Sequence, residues 1–289
     1  GHSVSPNAEA CGRCGAPCPQ RGFGVDPRIG TLVAGAQYRV LRRLGEGGFG
    51  VVYEVETLVG GLRRALKVLN ARGASDPELQ RRFRDEASIL EEINHANVVR
   101  CYAAGHLERA GELYLLLELV EGVPLWSIVR DPATRARRPL EPRRAVRLAK
   151  QIASGLAAAH RVGVLHRDLK PDNVLIVDPG TRDEQSKLLD FGVAKVLGSE
   201  AEAAVSSGIV GTPSYMAPEQ FQEGRPIDAR TDLYALGAVL HVMLTGAGPF
   251  DAAGASLGAI FAAQARHRDA GPLPSALVPA LAEHPTLDR

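Results

Sequence analysis

The sequence predicts an α+β protein with two lobes, a small one built from an antiparallel sheet with one helix and a larger, mainly helical one. Two observations support this architecture. Strand-like segments crowd into residues 37–119. After residue 119 the apolar spacing becomes helical, so residues 120–289 are expected to form the larger lobe. Residues 1–36 show neither pattern and are rich in Gly, Pro, Ala and Cys, which predicts a flexible lead-in.

Bulk composition limits the classes of function that the chain can have. Its 289 residues suffice for one two-lobed domain or two small ones, and 45% of them are hydrophobic, as in ordinary globular proteins. A net charge of +1 gives no sign of nucleic-acid or anionic-membrane binding. The longest apolar run, near residues 233–244, is too short to cross a bilayer, and no secretory signal precedes it. These features lead us to expect a cytoplasmic protein that does not contact a membrane through this segment.

The small lobe is expected to contain five strands and one helix. The predicted strands are Tyr38–Leu44, Val51–Val55, Arg64–Leu69, Val98–Ala103 and Leu113–Leu119. Ser75 or Asp76 can cap a helix whose first turn contains Pro77. The apolar stripe of this helix consists of Leu79, Phe83, Leu90 and Ile93. Glu86 falls on the same stripe, where a carboxylate is costly unless it is paired.

The larger lobe is expected to contain two long helices and a short hairpin. The first helix is predicted over Arg143–His160. Two short strands, Val174–Val177 and Lys187–Leu189, surround a turn signal. The second helix is predicted over Asp232–Thr245 and is apolar on nearly every face, so we expect it to be buried all round. Gly246 is expected to end it.

A glycine-rich segment links the first two predicted strands. Gly45, Gly47 and Gly50 lack side chains, so the backbone there can close over a triphosphate and present N–H groups to it. Glycines with this spacing also occur in dinucleotide-binding folds, but a helix follows them there, whereas strands flank this segment on both sides. The alternative interpretation is a plain glycine-rich hairpin.

Lys67 is a cation on a strand that is otherwise apolar. Because side chains alternate along a strand, Lys67 faces the opposite side from Leu66 and Val68, toward the region under the glycine segment. A solvated lysine on a strand face is the alternative. The position of Glu86 on an apolar helix stripe favours a pairing between Glu86 and Lys67.

Two polar segments further along the chain complete the pattern. Residues 166–173 combine three cations, two acids and an amide after an apolar stretch, and Asp190-Phe191-Gly192 follows an apolar strand. Amide and carboxylate oxygens are suitable ligands for Mg²⁺. In this order, the glycine segment, the lysine, the polar loop and the final acid resemble eukaryotic-type protein serine/threonine kinases, in particular their bacterial branch. The resemblance runs from about residue 38 to the C-terminus.

The resemblance implies a two-lobed kinase fold and a role for each polar residue. It implies that Asp168 accepts the proton of the substrate hydroxyl and that Lys170 lies near the γ-phosphate. Asn173 and Asp190 are implied to bind Mg²⁺, with Mn²⁺ as an alternative. These roles predict an ATP-dependent phosphotransferase that acts on protein serine and threonine residues.

The resemblance also implies an ATP site between the lobes, below a hinge at residues 118–121. The Lys67–Glu86 ion pair is implied to orient Lys67 on the α- and β-phosphates. Leu117 is implied to close the back of the adenine pocket. The residues implied to contact ATP are Leu44, Gly45, Glu46, Gly47, Gly48, Phe49, Gly50, Val52, Ala65, Lys67, Leu117, Glu118, Val120 and Leu175.

Residues 211–219 resemble the segment that seats a protein substrate in this family. Thr212 in this segment, together with Lys170, matches the serine/threonine pattern rather than the tyrosine pattern. The implied partners are protein substrates and a second copy of the chain, as a homodimer for autophosphorylation. A scaffold that keeps the fold without catalysis is the main alternative, and a small-molecule phosphotransferase is another.

Arg167 directly precedes Asp168, and the resemblance suggests a regulatory role for it. Ser206 and Ser207 lie in a small-residue stretch between Asp190 and the substrate-seating segment. A phosphate on either serine would add charge that Arg167 can pair with, which would order this loop. The alternative is that both are solvated loop residues.

Three further side chains are given structural roles by the resemblance. Asp232 is implied to bond the backbone near His166, and it could also cap its own helix. Phe191 is implied to pack near Leu90, Cys101 and His166. Cys101 is therefore expected to be a small core residue rather than a reactive thiol.

Both ends of the sequence depart from the family pattern. Cys11, Cys14 and Cys18 resemble half of a zinc ribbon, but a structural zinc site takes four ligands, so we expect no zinc here. The alternative is that the other half lies elsewhere in a longer protein. Kinases of this type continue through further helices, one of which supplies an arginine to pair with the residue equivalent to Glu219. We therefore expect the sequence to be a fragment.

Overall fold

The protein is described by a computed structural model that covers most of the chain. The described residues are 26–47, 50–69, 77–107, 112–191, 213–221, 224–251, 259–260 and 263–264. Several predicted sites lie outside these ranges, namely Cys11, Cys14, Cys18, Gly48, Phe49, Gly192, Ser206, Ser207 and Thr212.

Six antiparallel strands form the sheet of the small lobe, in the order β1-β2-β3-β4-β6-β5. They are β1 Leu32–Val33, β2 Tyr38–Gly47, β3 Gly50–Thr57, β4 Arg63–Leu69, β5 Cys101–Leu107 and β6 Glu112–Leu117. All five predicted strands are present, but the fourth was predicted to begin three residues too early. Val98 instead forms a parallel bridge with Leu188 of the larger lobe, so the chain joins the small sheet only afterwards.

The predicted flexible lead-in does not hold for the residues just before β2. Strand β1 pairs with β2, and Tyr53 donates a hydrogen bond to Asp26 at 2.9 Å. Arg28 forms an ion pair with Glu112 of β6 at 2.5 Å. A two-residue strand has no readable periodicity, which explains why β1 could not be predicted.

Helix α1, Pro77–Glu91, packs against the small sheet beside β5. Phe83, Ala87 and Leu90 are buried along it, and Ile93 is buried just after its end. This matches the predicted stripe at the three positions whose side chains are described.

Three α-helices of the larger lobe are described from end to end. They are α2 Leu125–Val129, α3 Pro142–Arg161 and α4 Ala229–Thr245. The Glu141 carboxylate caps α3 by accepting from the backbone N–H groups of Arg143 and Arg144, each at 2.9 Å. Gly246 ends α4 in the left-handed conformation, with φ of 69°, as predicted.

Two predictions about α4 were wrong. Asp228, not Asp232, caps the helix by accepting from Arg230 N at 2.9 Å, because the helix begins three residues earlier than its apolar stretch. The helix is also not buried all round, since Leu233 is 54% exposed.

A three-stranded sheet carries the polar loop of the larger lobe. Its strands are β7 Val123–Pro124, β8 Val174–Val177 and β9 Gln185–Leu188, paired in that order. Glu184, just before β9, is buried and forms ion pairs with Arg144 at 2.5 Å and Arg147 at 2.7 Å. These contacts fix the β8–β9 hairpin on α3.

Buried apolar residues cover both faces of the small sheet. One face holds a cluster that includes Val55, Leu66 and Val68. The other face contributes Leu69 to a larger cluster that continues through α1 into the core around α3 and α4. Within the described part of the chain, no helix is long and apolar enough to cross a membrane.

Candidate active site

The turn between β2 and β3 holds the predicted phosphate cover. Gly50 has φ of 146°, and a Cβ atom there would lie 2.0 Å from the Val68 carbonyl oxygen, so only glycine fits. At Gly45 and Gly47, an added Cβ would meet no described atom within 4 Å. Gly50 is therefore required by the fold, whereas no described atom fills the space beside Gly45 and Gly47.

Four of the residues implied to contact ATP share one face of the small sheet. Val52 lies opposite Lys67 in the β3–β4 register, and Ala65 lies opposite Leu117 in the β4–β6 register. Directly opposed residues in antiparallel strands point to the same side, as do Ala65 and Lys67 two residues apart. Leu66 and Val68 are in the cluster on the other face, which confirms the predicted direction of Lys67.

Lys67 joins the small lobe to the acid of the larger lobe. Its side chain is only 5% exposed, and its Nζ atom lies 2.6 Å from Asp190 Oδ1. Glu86 lies on α1, but its side chain is outside the described part of the structure. The predicted pairing of Glu86 with Lys67 therefore stays a prediction.

The loop before β8 holds the Asp168 carboxylate in place. Lys170 Nζ lies 2.6 Å from Asp168 Oδ2. The Asn173 side-chain nitrogen donates to the same oxygen at 3.0 Å and to the Asp168 carbonyl at 2.7 Å. The three polar residues that the sequence singled out in this loop thus form one hydrogen-bonded group.

Asn173 and Asp190, the two implied metal ligands, are linked through the backbone. The N–H group of Leu189, which precedes Asp190, donates to the Asn173 carbonyl at 2.9 Å. The Asn173 side-chain nitrogen is committed to Asp168, which leaves the amide oxygen as its acceptor. An amide oxygen and a carboxylate suit a divalent cation that also binds water and phosphate oxygens. Among the described residues, no group of three or more His, Cys, Asp or Glu side chains could hold a metal alone.

Asp232 anchors the backbone of the polar loop from inside α4. Its carboxylate is buried and accepts from the N–H groups of His166 and Arg167, each at 2.8 Å. It also contacts His160 Nε2 at 2.7 Å. The implied bond to the backbone near His166 is confirmed. The contact of His160 was missed, because nothing in its sequence context distinguishes it from other residues of α3.

Phe191 packs on His166, as the resemblance implied. Their ring centroids are 4.6 Å apart. Burial lowers the pKa of His166, because the charged imidazolium would lose its hydration there. His166 therefore acts as a neutral packing residue beneath the loop.

A small cavity of about 30 Å³ lies behind Leu117. Leu90, Cys101, Phe191 and Asp190 are among the residues that line it. Burial raises the pKa of the Cys101 thiol to about 12, so the thiol stays protonated and unreactive at neutral pH. This agrees with the expectation that Cys101 is a core residue.

The segment after β6 corresponds to the implied hinge. The Glu118 carboxylate pairs with Lys187 Nζ at 2.7 Å, and Glu118 N donates to the Arg100 carbonyl at 2.9 Å. The Glu46 carboxylate pairs with Arg43 in the glycine segment. Both carboxylates thus have a cationic partner within the protein. Among the described residues, three further implied apolar contacts keep partly or largely exposed side chains, namely Leu44, Val120 and Leu175.

Residues 213–221 contain the described part of the implied substrate-seating segment. The Glu219 carboxylate accepts a hydrogen bond from the Thr231 hydroxyl of α4 at 2.7 Å. Gln220 donates to the Arg167 carbonyl at 2.8 Å. No local pattern singles out Gln220, because its partner is remote in the chain. Arg167 is described, whereas Ser206, Ser207 and Thr212 are not, so the regulatory hypothesis and the role of Thr212 stay predictions.

The chain is similar to known proteins over most of its length. A family model for the protein kinase domain matches residues 38–270. Serine/threonine-protein kinase pkn2 of Myxococcus xanthus is 40% identical over 84% of this chain and 28% of its own length. Serine/threonine-protein kinase PrkC of Bacillus subtilis is 37% identical over 77% of this chain and 32% of its own length. The chain thus spans about a third of the curated relatives that it matches.

Solved structures give the same result for the fold. The crystal structure of the Mycobacterium tuberculosis PknI kinase domain is similar with a TM-score of 0.64 and 28% identity. The similarity covers 88% of this chain and 86% of the PknI chain. The two-lobed α+β architecture predicted from the sequence is therefore confirmed.

Proposed function

The chain belongs to the protein kinase domain family, in its bacterial serine/threonine branch, and on that premise we propose that it transfers the γ-phosphoryl group of ATP to serine and threonine residues of proteins. The observation that carries the proposal is the 2.6 Å contact between Lys67 and Asp190. This contact places the lysine that we propose to bind phosphate beside the acid that we propose to bind the metal. Asp168 is connected to Asp190 as well, because Asn173 bonds Asp168 and its carbonyl accepts a hydrogen bond from Leu189 N, next to Asp190.

Lys67 and the glycine segment are proposed to hold the triphosphate. A buried ammonium group interacts more strongly with a phosphate than one in water, because the local dielectric is lower. Asn173 and Asp190 are proposed to hold Mg²⁺, with Mn²⁺ as an alternative. When bound, such a cation neutralises the charge that develops on the phosphate oxygens.

Asp168 is proposed to accept the proton of the attacking hydroxyl. Its Oδ2 atom already accepts hydrogen bonds from Lys170 and Asn173. These bonds restrict the carboxylate to one orientation, which reduces the entropy cost of reaching a reactive geometry. Lys170 is also proposed to stabilise charge on the transferred phosphoryl group.

The phosphoryl acceptors are proposed to be serine and threonine residues of proteins, because Lys170 and Thr212 match the serine/threonine pattern. They are proposed to include residues of a second copy of the chain in a homodimer. Cytoplasmic ATP is the proposed phosphoryl donor.

A phosphotransfer assay with labelled ATP and a generic protein acceptor tests the proposal. Mg²⁺ and Mn²⁺ are compared, and phosphoamino acids are identified afterwards. Lys67→Met is expected to lose transfer, while Lys150→Met, which changes an exposed lysine on α3, keeps it. Label on tyrosine, label only on small molecules, or ATP binding without transfer would each contradict the proposal.

A further inference from the structure

Gln220 links two parts of the site that are 53 residues apart in the sequence. Its side-chain nitrogen donates to the Arg167 carbonyl at 2.8 Å. Its side-chain oxygen accepts from Ala217 N at 2.9 Å, and Ala217 is buried in the implied substrate-seating segment. A primary amide offers a donor and an acceptor in one plane, so a single glutamine can make both contacts.

The Arg167 backbone has a conformation that requires support. Its φ angle is 63°, in the left-handed region that residues other than glycine adopt at a cost. Asp232 holds the N–H group of Arg167, and Gln220 holds its carbonyl. This carbonyl belongs to the peptide group that joins Arg167 to Asp168. Its orientation therefore determines the direction in which the Asp168 side chain leaves the backbone.

Other contacts attach the substrate-seating segment to the lobe without Gln220. Glu219 bonds Thr231 of α4 at 2.7 Å, and the Gln264 side chain donates to the Met216 carbonyl at 2.9 Å. The segment should therefore stay attached when Gln220 is changed. The specific contribution of Gln220 is therefore to orient the Arg167–Asp168 peptide group, and not to attach the substrate-seating segment to the lobe.

We propose that Gln220 is a positioning residue that couples the seating of the protein substrate to the orientation of Asp168. It acts through the Arg167 carbonyl and the Ala217 N–H group, not on the reacting atoms. The inference deepens the proposed phosphotransfer function and rests on it.

Two variants of Gln220 separate its two contacts. Gln220→Glu keeps an acceptor for Ala217 N but loses the donor to Arg167. Gln220→Met keeps a similar volume and loses both. We expect kcat for transfer to a protein acceptor to fall about tenfold in both variants, because a carbonyl beside the base loses its partner. We expect KM for the protein acceptor to rise only in Gln220→Met, and KM for ATP to stay within about twofold of wild type in both.

The control is Gln185→Ala, which changes an exposed glutamine at the start of β9 and should leave all three parameters unchanged. Melting temperatures are measured for every variant. A purely structural role would lower kcat only in proportion to the folded fraction, without the difference in protein KM. That result, or kcat within about twofold of wild type in both variants, would overturn the inference. An inactive wild-type protein would overturn the proposed function itself, and the inference with it.

Discussion

Replacing Asp232 by alanine should destabilise the larger lobe and release the catalytic loop. The side chain is 1% exposed and accepts hydrogen bonds from two backbone N–H groups, those of His166 and Arg167. Each buried donor left without a partner costs about 1–3 kcal/mol, so Asp232→Ala should lower the free energy of unfolding by about 2–6 kcal/mol. That is a large share of the roughly 5–15 kcal/mol that stabilises a typical domain.

Urea denaturation followed by circular dichroism measures this loss, with phosphotransfer assayed below the transition. Asp232→Asn keeps the volume and one acceptor oxygen, so it should lose about half as much stability. Asp228→Ala is the matched control, because Asp228 is the exposed cap of the same helix and has no contact with the loop among its described hydrogen bonds. If Asp232→Ala destabilises the protein no more than Asp228→Ala does, the anchoring role of Asp232 is refuted.

Three further predictions concern the fold and its pH dependence. Gly50→Ala should lower the melting temperature, because its Cβ would meet the backbone of β4, whereas Gly47→Ala should keep that temperature and weaken ATP binding measured by calorimetry. Burial opposes ionisation of Glu184, but hydrogen bonds from Arg144 hold its pKa below the usual range. Its stabilising effect should be complete above about pH 4.3 and disappear as the pH falls through the lowered pKa, and Glu184→Gln should remove this part of the acid denaturation profile. Because burial lowers the pKa of His166, stability should fall as the pH drops below about 6.5, and unfolding of His166→Phe should depend less on pH there.

Local patterns were enough to predict where several of the site residues lie, whereas their roles stay predictions. The alternation of side chains along β4 correctly placed Lys67 on the face opposite to Leu66. The polar loop was recognised from its composition. In the structure, Lys170 and Asn173 both donate hydrogen bonds to Asp168, so the three side chains lie together. These features depend on residues that are close together in the sequence, so one sequence is enough to predict them.

Contacts between distant segments could not be predicted in this way. Glu184 meets Arg144 across 40 residues and Gln220 meets Arg167 across 53, and neither pair has a local pattern. Asp228 and Asp232 are both plausible caps by residue type. Only the packing of α4 against the polar loop decides that Asp232 faces the loop and Asp228 begins the helix.

Asp168 is proposed to accept the proton of a protein hydroxyl during phosphotransfer, and single-turnover transfer by Asp168→Asn measures this role. The variant should keep the wild-type melting temperature and ATP affinity, since asparagine is nearly isosteric with aspartate. Its rate of transfer to a serine-containing protein acceptor should fall by about 10²–10⁴-fold, the usual contribution of a general base. A folded, ATP-binding Asp168→Asn protein that transfers phosphate at close to the wild-type rate would show that Asp168 does not have this role.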